Sequence, residues 1–305
     1  MSTARNFAIK EKHLWGLICE TESALVDHYQ ASIEPFIRES EAGNRQWGLL
    51  LAALTFEPDN ITPAHLMVRG PYTNADEYLA RLRKSSDKGF LQEVEPGEFR
   101  LTEKGRSFNA QFIALARQAM VEVDPLVLED SSRLAELFSR LVESCLATEP
   151  PPKNWSIALS YKLMPEMNPP MPFIEQAISC LFAYRDDCHL AAWQQTGMTA
   201  TSMDVLTLIW KKESKSLNDL LVKLSQRGHS EEVYINAVSE LQQLGFITGT
   251  RNSLRLSTAG QVFRDRIEQE TDRYFYMPWT CLSQSEVEEM SSLSTRLLDG
   301  LKIKM

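Results

Sequence analysis

The hydrophobic pattern in the first half of the chain predicts three consecutive helices. The apolar run at about 45–56 forms the first helix. Thr62, which a proline follows, is typical of the start of a short second helix, because threonine accepts hydrogen bonds from free N–H groups and proline suits a first turn. The third helix is predicted at about 74–88, with Thr73 as its candidate cap. We expect it to end at Gly89, since glycine adopts the left-handed conformation that stops a helix.

A hairpin and a further helix complete this series. The segments FLQEV and FRL, joined by the turn EPGE, predict two short antiparallel strands. The Leu-Thr pair that closes the second strand opens a helix over about 102–122. The predicted order is therefore helix, helix, helix, hairpin, helix.

The same order of patterns recurs in the second half. An apolar helix at about 203–212 comes before a short helix that opens at Asn218. A third helix follows at about 230–244, with Ser230 as its candidate cap and Gly245 at its end. The segments FIT and SLRL then predict a second hairpin, and a helix over about 258–275 follows it.

Individual positions repeat along with the patterns. Tyr78, Gly89 and Phe90 have counterparts 156 positions later, which are Tyr234, Gly245 and Phe246. After a one-residue deletion in the hairpin the spacing becomes 155, and the matched pairs are Leu101–Leu256, Gly105–Gly260 and Phe108–Phe263. Few residues are identical, but the ordered series agrees. We therefore interpret the chain as two copies of one unit.

The predicted order of elements is that of a winged helix-turn-helix unit. Gly-Phe before each hairpin and Leu-Thr or Leu-Ser after it resemble the MarR-like winged-helix family over about 45–115 and 203–270. Two copies in one chain are further similar to a bacterial family of tandem MarR-like proteins, which the stretches at 186–198 and 271–279 support. The resemblance implies a mainly α fold with two small β-wings, whose two winged helix-turn-helix units form an intramolecular pseudo-dimer.

The predicted organisation has two halves and a connection. Residues 1–125 form the first winged-helix half with its flanking helices, and residues 173–305 form the second. Residues 126–172 form a helix and a proline-rich crossover linker. Proline breaks helices and stiffens linkers, and it is concentrated within 148–172.

Composition places the chain among soluble globular proteins. Of its 305 residues, 43% are hydrophobic and 24% are charged. No apolar run approaches the roughly 18 residues of a membrane helix, and the N-terminus lacks a signal-peptide pattern. Its five cysteines form no CxxC motif, which favours reduced thiols in a cytoplasmic protein over disulfides or a zinc site. Common catalytic and dinucleotide-binding motifs are missing, so we assign no metal and no cofactor.

The helix-turn-helix prediction makes DNA a candidate partner. Early residues of the third helix meet base edges in such proteins, and residues that flank them meet phosphates. The candidate DNA-binding residues are Asn74 for bases and Arg81, Arg83, Lys84, Lys88, Arg251 and Arg255 for phosphates. Charge opposes this assignment in part, because residues 231–244 carry −3 and the whole chain −9. The alternative is that these charges form only a solvated face.

A small molecule is the other candidate partner. In MarR-like proteins effectors bind between the dimerising helices and the DNA-binding lobe, so the resemblance implies a cleft. Side chains outside the winged units are the candidates to line it, namely Trp193, His189, Trp15 and Trp279. If the protein is an enzyme, the candidate catalytic residues are His189, Asp186, Tyr184 and His28. The alternative for all of them is an ordinary place in the core or on the surface.

Two functional hypotheses follow. The first is a cytoplasmic MarR-like regulator that binds DNA in response to a small molecule and carries both winged helices on one chain. The second is a pseudo-dimer that has lost DNA binding and binds or transforms a small molecule in the cleft between its halves.

Overall fold

The computed structural model describes residues 9–40, 42–43, 46–149, 151 and 153–304. The helices are α1 (Ile9–Glu39), α2 (Trp47–Phe56), α3 (Pro63–Arg69), α4 (Ala75–Asp87), α5 (Glu103–Val123), α6 (Leu128–Ala147), α7 (Trp155–Tyr161), α8 (Pro170–Gln194), α9 (Ala200–Trp210), α10 (Leu217–Lys223), α11 (Glu231–Gln243), α12 (Thr258–Tyr276) and α13 (Gln284–Lys304). The strands are β1 (Leu91–Glu95), β2 (Glu98–Leu101), β3 (Ile247–Thr250) and β4 (Ser253–Leu256). The predicted helix start at 45, the N-terminal eight residues, Pro150 and Pro152 lie outside the described residues. The predicted mainly helical fold with two small sheets is confirmed.

Two regions of the chain have the same order of elements. We call α2, α3, α4, β1 and β2 the first unit, and α9, α10, α11, β3 and β4 the second unit. A hydrogen bond closes each hairpin in the same way, from Thr102 N–H to the Phe90 carbonyl and from Ser257 N–H to the Phe246 carbonyl, both at 3.0 Å. The third helix of each unit ends at a glycine with positive φ, 76° at Gly89 and 72° at the counterpart. The two units share these features, but a short 3-10 helix (Ser225–Arg227) precedes α11 in the second unit only, and only the first hairpin has an irregular register, between Glu93 and Glu95.

Each hairpin pairs with the loop between the first two helices of its unit. In the first hairpin Leu91 lies opposite Leu101, and Ile61 forms a bridge to Phe99. In the second, Leu254 N–H donates to the Lys215 carbonyl at 2.7 Å. This pairing fixes each hairpin at the side of its three helices.

The structure corrects three predicted helix starts. The cap of α4 is Asn74, whose side-chain oxygen accepts from Asp76 N–H, and not Thr73, which is buried. The cap of α10 is Ser216 and not Asn218. Helix α9 begins at Ala200, three residues before its predicted start, because Thr199 caps it. In all three cases a neighbouring Ser, Thr or Asn is equally suitable as a cap, so the sequence pattern does not fix the exact residue.

The long helices form the frame that carries both units. Helix α1 packs along α5 and α13, and α8 packs against α6, α7 and α12. Helix α6 belongs to the predicted linker region, yet Leu134, Phe138 and Leu141 bury its apolar face. Among the described helices, none combines the length and the apolar character that crossing a membrane requires.

Candidate functional site

A pocket of about 780 Å³ lies between the first unit and the helices behind it. Its walls come from α1, α2, α3, α4, α5, α7 and α8, so both predicted halves contribute. Aromatic rings form the apolar part of the lining: Trp47 stacks on Phe112 with centroids 5.1 Å apart, and Phe56 stacks on His65 at 4.7 Å. A pocket of this size accommodates a small organic molecule.

Two carboxyl groups lie inside this pocket. Glu22 enters from α1 and Glu175 from α8, and no described residue donates a hydrogen bond to either of them. The positive charge of Arg117 on α5 acts on Glu175, and Arg117 Nη2 donates to the Leu163 carbonyl at 2.9 Å. Gln176 donates to the Ser160 carbonyl at 2.9 Å, which holds the amide against α7.

The pKa values of the two carboxyl groups are raised above their usual range. Burial and then the charge of Glu175 raise the pKa of Glu22 to about 8. Burial raises the pKa of Glu175 to about 7, against the opposing effect of Arg117. The Tyr29 hydroxyl, which also lines the pocket, has its pKa raised by burial and then by both carboxylates. The pair therefore retains protons near neutral pH, because burial and mutual repulsion disfavour two negative charges.

The pocket reaches the helix-turn-helix part of the first unit. Gly70 and Tyr78 lie in its lining, and the Tyr78 hydroxyl donates to the Gly70 carbonyl at 3.0 Å. A β-carbon on Gly70 would collide with that hydroxyl, so the close approach requires glycine. Arg69, also in the lining, is paired with Asp186 of α8 at 2.8 Å. A molecule in the pocket would thus touch both α3 and α4.

The predicted ligand-binding residues do not line this pocket. Trp15 packs between Phe182 and Phe275, with ring centroids 4.9 and 4.7 Å away. Trp193 and Trp279 are buried in the core, at 3% and 2% exposure. Phe182, which Trp15 contacts, is the place where this aromatic cluster adjoins the pocket.

The predicted catalytic residues are distributed over separate environments. Tyr184 is fully buried, and its hydroxyl donates to the Tyr274 carbonyl at 3.4 Å. His28 Nε2 lies 3.1 Å from the Leu301 carbonyl oxygen on α13. Asp186 pairs with Arg69 at the pocket edge. The structure does not bring these three residues together.

His189 has a network of its own. Its Nδ1 lies 3.3 Å from the Thr271 hydroxyl and 3.9 Å from a Glu268 carboxylate oxygen. Burial, followed by the positive charge of Arg264, lowers the pKa of His189 to about 4. The imidazole is therefore neutral at pH 7, with α12 rather than Asp186 as its neighbour.

Sequence reasoning missed the carboxyl pair. Ile18, Glu22 and Leu25 occupy one face of α1, so an acid stands where the helical period places an apolar residue. Glu175 interrupts the apolar face of α8 between Met171 and Ile178 in the same way. A carboxyl group on a buried stripe was the available signal. Within the described part of the chain, no group of three or more His, Cys, Asp or Glu side chains is placed to hold a metal ion.

The start of α4 is in contact with the second unit. Asn74 N–H donates to the Arg227 carbonyl at 2.8 Å, and Asn74 Nδ2 donates to the Gly228 carbonyl at 3.3 Å. Arg81 Nη2 donates to the Gln226 carbonyl at 2.6 Å. Two predicted DNA-binding side chains, Asn74 and Arg81, are thus engaged within the molecule.

Close packing accompanies these hydrogen bonds. A β-carbon on Gly228, whose φ is +71°, would collide with the Glu77 side chain. His229 Nε2 lies 3.0 Å from the Tyr72 carbonyl oxygen, and the Arg227 guanidinium lies 5.4 Å from the Tyr72 ring centroid. We call this surface, formed by residues 72–81 and 226–229, the inter-unit contact.

The other predicted DNA-binding residues lie outside the inter-unit contact. On α4, Arg83 is exposed with Glu93 3.7 Å away, Lys84 is exposed, and the Lys88 carbonyl accepts from Lys104. On the second hairpin, Arg251 and Arg255 are exposed, and no described acidic side chain pairs with either of them. The second hairpin is thus the more basic of the two.

The order helix, helix, helix and hairpin, which both units have, is typical of helix-turn-helix proteins. Residues 160–302 match the model of a helix-turn-helix family, and this range contains the whole second unit. The match supports a helix-turn-helix DNA-binding fold and, at that coarse level, a DNA-binding regulator. Comparison with curated proteins and with solved structures found no significant match.

Proposed function

We propose that this chain is a MarR-like transcriptional regulator that binds DNA in response to a small molecule. In this proposal the two units are winged helix-turn-helix copies that form a pseudo-dimer on one chain. The observation that carries it is the place of the pocket, which lies between the helical frame and the first unit and includes Gly70 and Tyr78. Effectors act at this kind of place when their binding moves a DNA-binding helix.

The inter-unit contact supports a route from the pocket to the second unit. Tyr78 lies in the pocket lining, one turn after Asn74, which is bonded to Gly228 of the second unit. A molecule that displaces the Tyr78 ring would shift α4, and α4 cannot shift without changing its bonds to residues 226–229. Effector binding would thereby alter the spacing of the two units.

We assign DNA contact mainly to the second hairpin and the exposed side of α4. Arg251 and Arg255 have no ion-pair partner among the described residues, so their charges are available to phosphates. Arg83 and Lys84 present positive charge on the exposed side of α4, away from the inter-unit contact. A local basic surface acts within a Debye length even on a chain of net charge −9.

Fluorescence anisotropy with DNA from upstream of its own gene, and with random DNA, tests the proposal at low salt. We expect micromolar or tighter binding that weakens as salt rises. The double variant Arg251→Ala/Arg255→Ala should bind several-fold more weakly and show a salt slope smaller by about one or two. Arg100→Ala is the matched control, because Arg100 lies on the first hairpin and is bonded to Gln92. No binding at micromolar protein would contradict the proposal.

One observation favours a second candidate function. The inter-unit contact covers the start of α4, and the start of α11 carries exposed Glu231 and Glu232, which repel phosphates. A pseudo-dimer without DNA binding would then use the pocket alone, to bind or transform a small molecule. The same titration distinguishes the two, since this candidate predicts ligand binding without any DNA binding.

A further inference from the structure

When both carboxyl groups are ionised, and Asp186 is counted with its partner Arg69, the charges around the pocket leave an excess of one negative charge. The charged residues in the described lining are Glu22, Glu175, Arg69 and Arg117. Arg69 is paired with Asp186 at the pocket edge, so its charge is neutralised there. Arg117 interacts with Glu175 alone of the two carboxylates. Glu22 is left without an opposite charge from any described residue.

The Glu22 carboxyl also lacks hydrogen bonds. Its Oε2 is buried and has no hydrogen-bond partner among the described residues, and no described residue donates a hydrogen bond to the half-buried Glu175, which also faces the pocket. A buried acceptor without a donor costs free energy, and a buried unpaired carboxylate costs more. The Glu22 carboxyl is therefore incomplete without a donor, which a bound molecule would supply.

The apolar lining is suited to the non-polar part of a molecule that carries such a donor. Trp47, Phe112 and Phe182 present aromatic surface to the same pocket. An aromatic face attracts a cation as well as an apolar body. The pocket thus combines two carboxyl groups, one of them without an opposite charge from any described residue, with aromatic rings that attract positive charge.

We propose that the pocket binds a small organic cation, a protonated amine on an aromatic or other apolar body, with its ammonium between Glu22 and Glu175. An ammonium supplies the missing donors and the missing positive charge together. A carboxylate ligand would add negative charge to a site that already has an excess, and a neutral alcohol would supply a donor without charge. The inference deepens the proposed function, because it names the class of molecule that this effector pocket takes.

Binding of the cation is coupled to proton release. The carboxyl pair holds protons near neutral pH, and an ammonium replaces them. The titratable and charged groups that surround the pair are Tyr29 and Cys19 on α1, His65 and Arg69 on α3, Tyr78 on α4, Arg117 on α5, and Cys180 on α8. Affinity for the cation should therefore increase as the pH rises from about 6 to about 8.

Three probes of one shape test the proposal: tryptamine as the cation, tryptophol as the neutral alcohol, and indole-3-propionate as the anion. Calorimetric titration of the full chain should give tryptamine the highest affinity, by about tenfold or more over the other two. Titrations in buffers of different ionisation enthalpy should show proton release with tryptamine only. Tighter binding of the anion or the alcohol, or no tryptamine binding at millimolar concentration, would overturn the proposal.

Variants locate the binding and separate this inference from the proposed function. Glu22→Gln and Glu175→Gln keep the side-chain shape and should each weaken tryptamine binding by about tenfold or more. Glu20→Gln, on the exposed side of α1, is the matched control and should bind like the unaltered protein. If all three variants bound tryptamine as tightly as the unaltered protein, the proposed site would be wrong. DNA binding, measured separately without any probe, reports on the proposed function whatever the result with tryptamine.

Discussion

The first and second units have the same order of elements, but the space between each unit and the long helices behind it is filled differently. Behind the first unit, Asn109 of α5 donates to the Leu50 carbonyl at 2.8 Å, and an open pocket lies beside it. At the matching position 155 residues later, Arg264 of α12 is buried, donates to Thr207 and is paired with Glu268. The same order of elements thus accompanies a pocket behind the first unit and a buried ion pair behind the second.

The two units also differ on the side where a third helix would meet DNA. Helix α4 is held at its start by the inter-unit contact, whereas the start of α11 is exposed and acidic. The more basic hairpin belongs to the second unit. This division is the one expected if the first copy binds the effector and the second contributes most of the DNA contact.

The largest expected effect tests whether the two units have equivalent backbones where each hairpin meets the helix that follows it. A β-carbon on Gly105 would collide with the Phe90 carbonyl oxygen, and one on Gly260 with the Phe246 carbonyl oxygen. Gly105→Ala and Gly260→Ala should therefore each lower the free energy of unfolding by about 3 kcal/mol or more. Urea denaturation measures both.

Gly16→Ala is the control for these substitutions. Gly16 lies in α1 with open space around it, so alanine should raise the free energy of unfolding by about 0.5–1 kcal/mol. If either Gly105→Ala or Gly260→Ala lowered the free energy of unfolding no more than this control, the two units would not have equivalent backbones at this point.

The next effect concerns the pocket behind the first unit. Raised folded-state pKa values, about 8 for Glu22 and about 7 for Glu175, mean that the folded protein keeps protons that the unfolded chain releases near pH 4 to 5. Stability should therefore fall as the pH rises from about 5 to about 8. Glu22→Gln and Glu175→Gln should each remove a part of this fall, on the order of 2 to 3 kcal/mol.

Thermal unfolding at several pH values checks this expectation. Glu20→Gln, which removes an exposed acid from the same helix as Glu22, should leave the pH profile unchanged. If the stability of the wild-type protein did not change between pH 5 and 8, the raised pKa values of the carboxyl pair would be wrong.

A smaller effect probes the inter-unit contact. Gly228 and Gly197 both have positive φ, but only at Gly228 would a β-carbon meet another side chain, that of Glu77. Alanine costs about 1 kcal/mol at either site through the backbone alone. Gly228→Ala should therefore cost about 1–2 kcal/mol more than Gly197→Ala in urea denaturation. Equal losses would show that the two units do not pack closely there.

The helices and hairpins of the two units are predictable from sequence because the signals for them are local. Caps, the glycines at 89 and 245, and the alternation of the hairpins each act within a few residues. The pocket was not predictable, because Glu22 and Glu175 meet only after α1 and α8 pack together. Sequence reasoning chose His189 and Trp193 instead, since chemically active side chains are dense along the chain there. In the structure His189 contacts α12, and Trp193 packs beside Tyr72 in the turn between α3 and α4, so both contacts join segments that are distant in sequence.

Asn74 shows the same limit at a single residue. An early polar residue on the third helix is typical of base contact, and the sequence predicts that role. Its partner in the structure, Gly228, is 154 positions away, a contact that no local pattern reports. The DNA role of Asn74 stays a prediction, and it can be tested against the role in the inter-unit contact.

The smallest expected effect makes that test by comparing the starts of α4 and α11. Asn74 caps α4 through a side-chain hydrogen bond, whereas Ser230 makes no such bond at the start of α11. Asn74→Ala should lower the free energy of unfolding by about 1 kcal/mol, and Ser230→Ala by less than about 0.5 kcal/mol. If Asn74 acts only within the molecule, its alanine variant should keep the DNA sequence preference of the wild type in competition assays. A change of preference at one base pair, with the stability loss unaltered, would instead show that Asn74 leaves Gly228 and reads a base, because a structural cap influences affinity for every sequence alike.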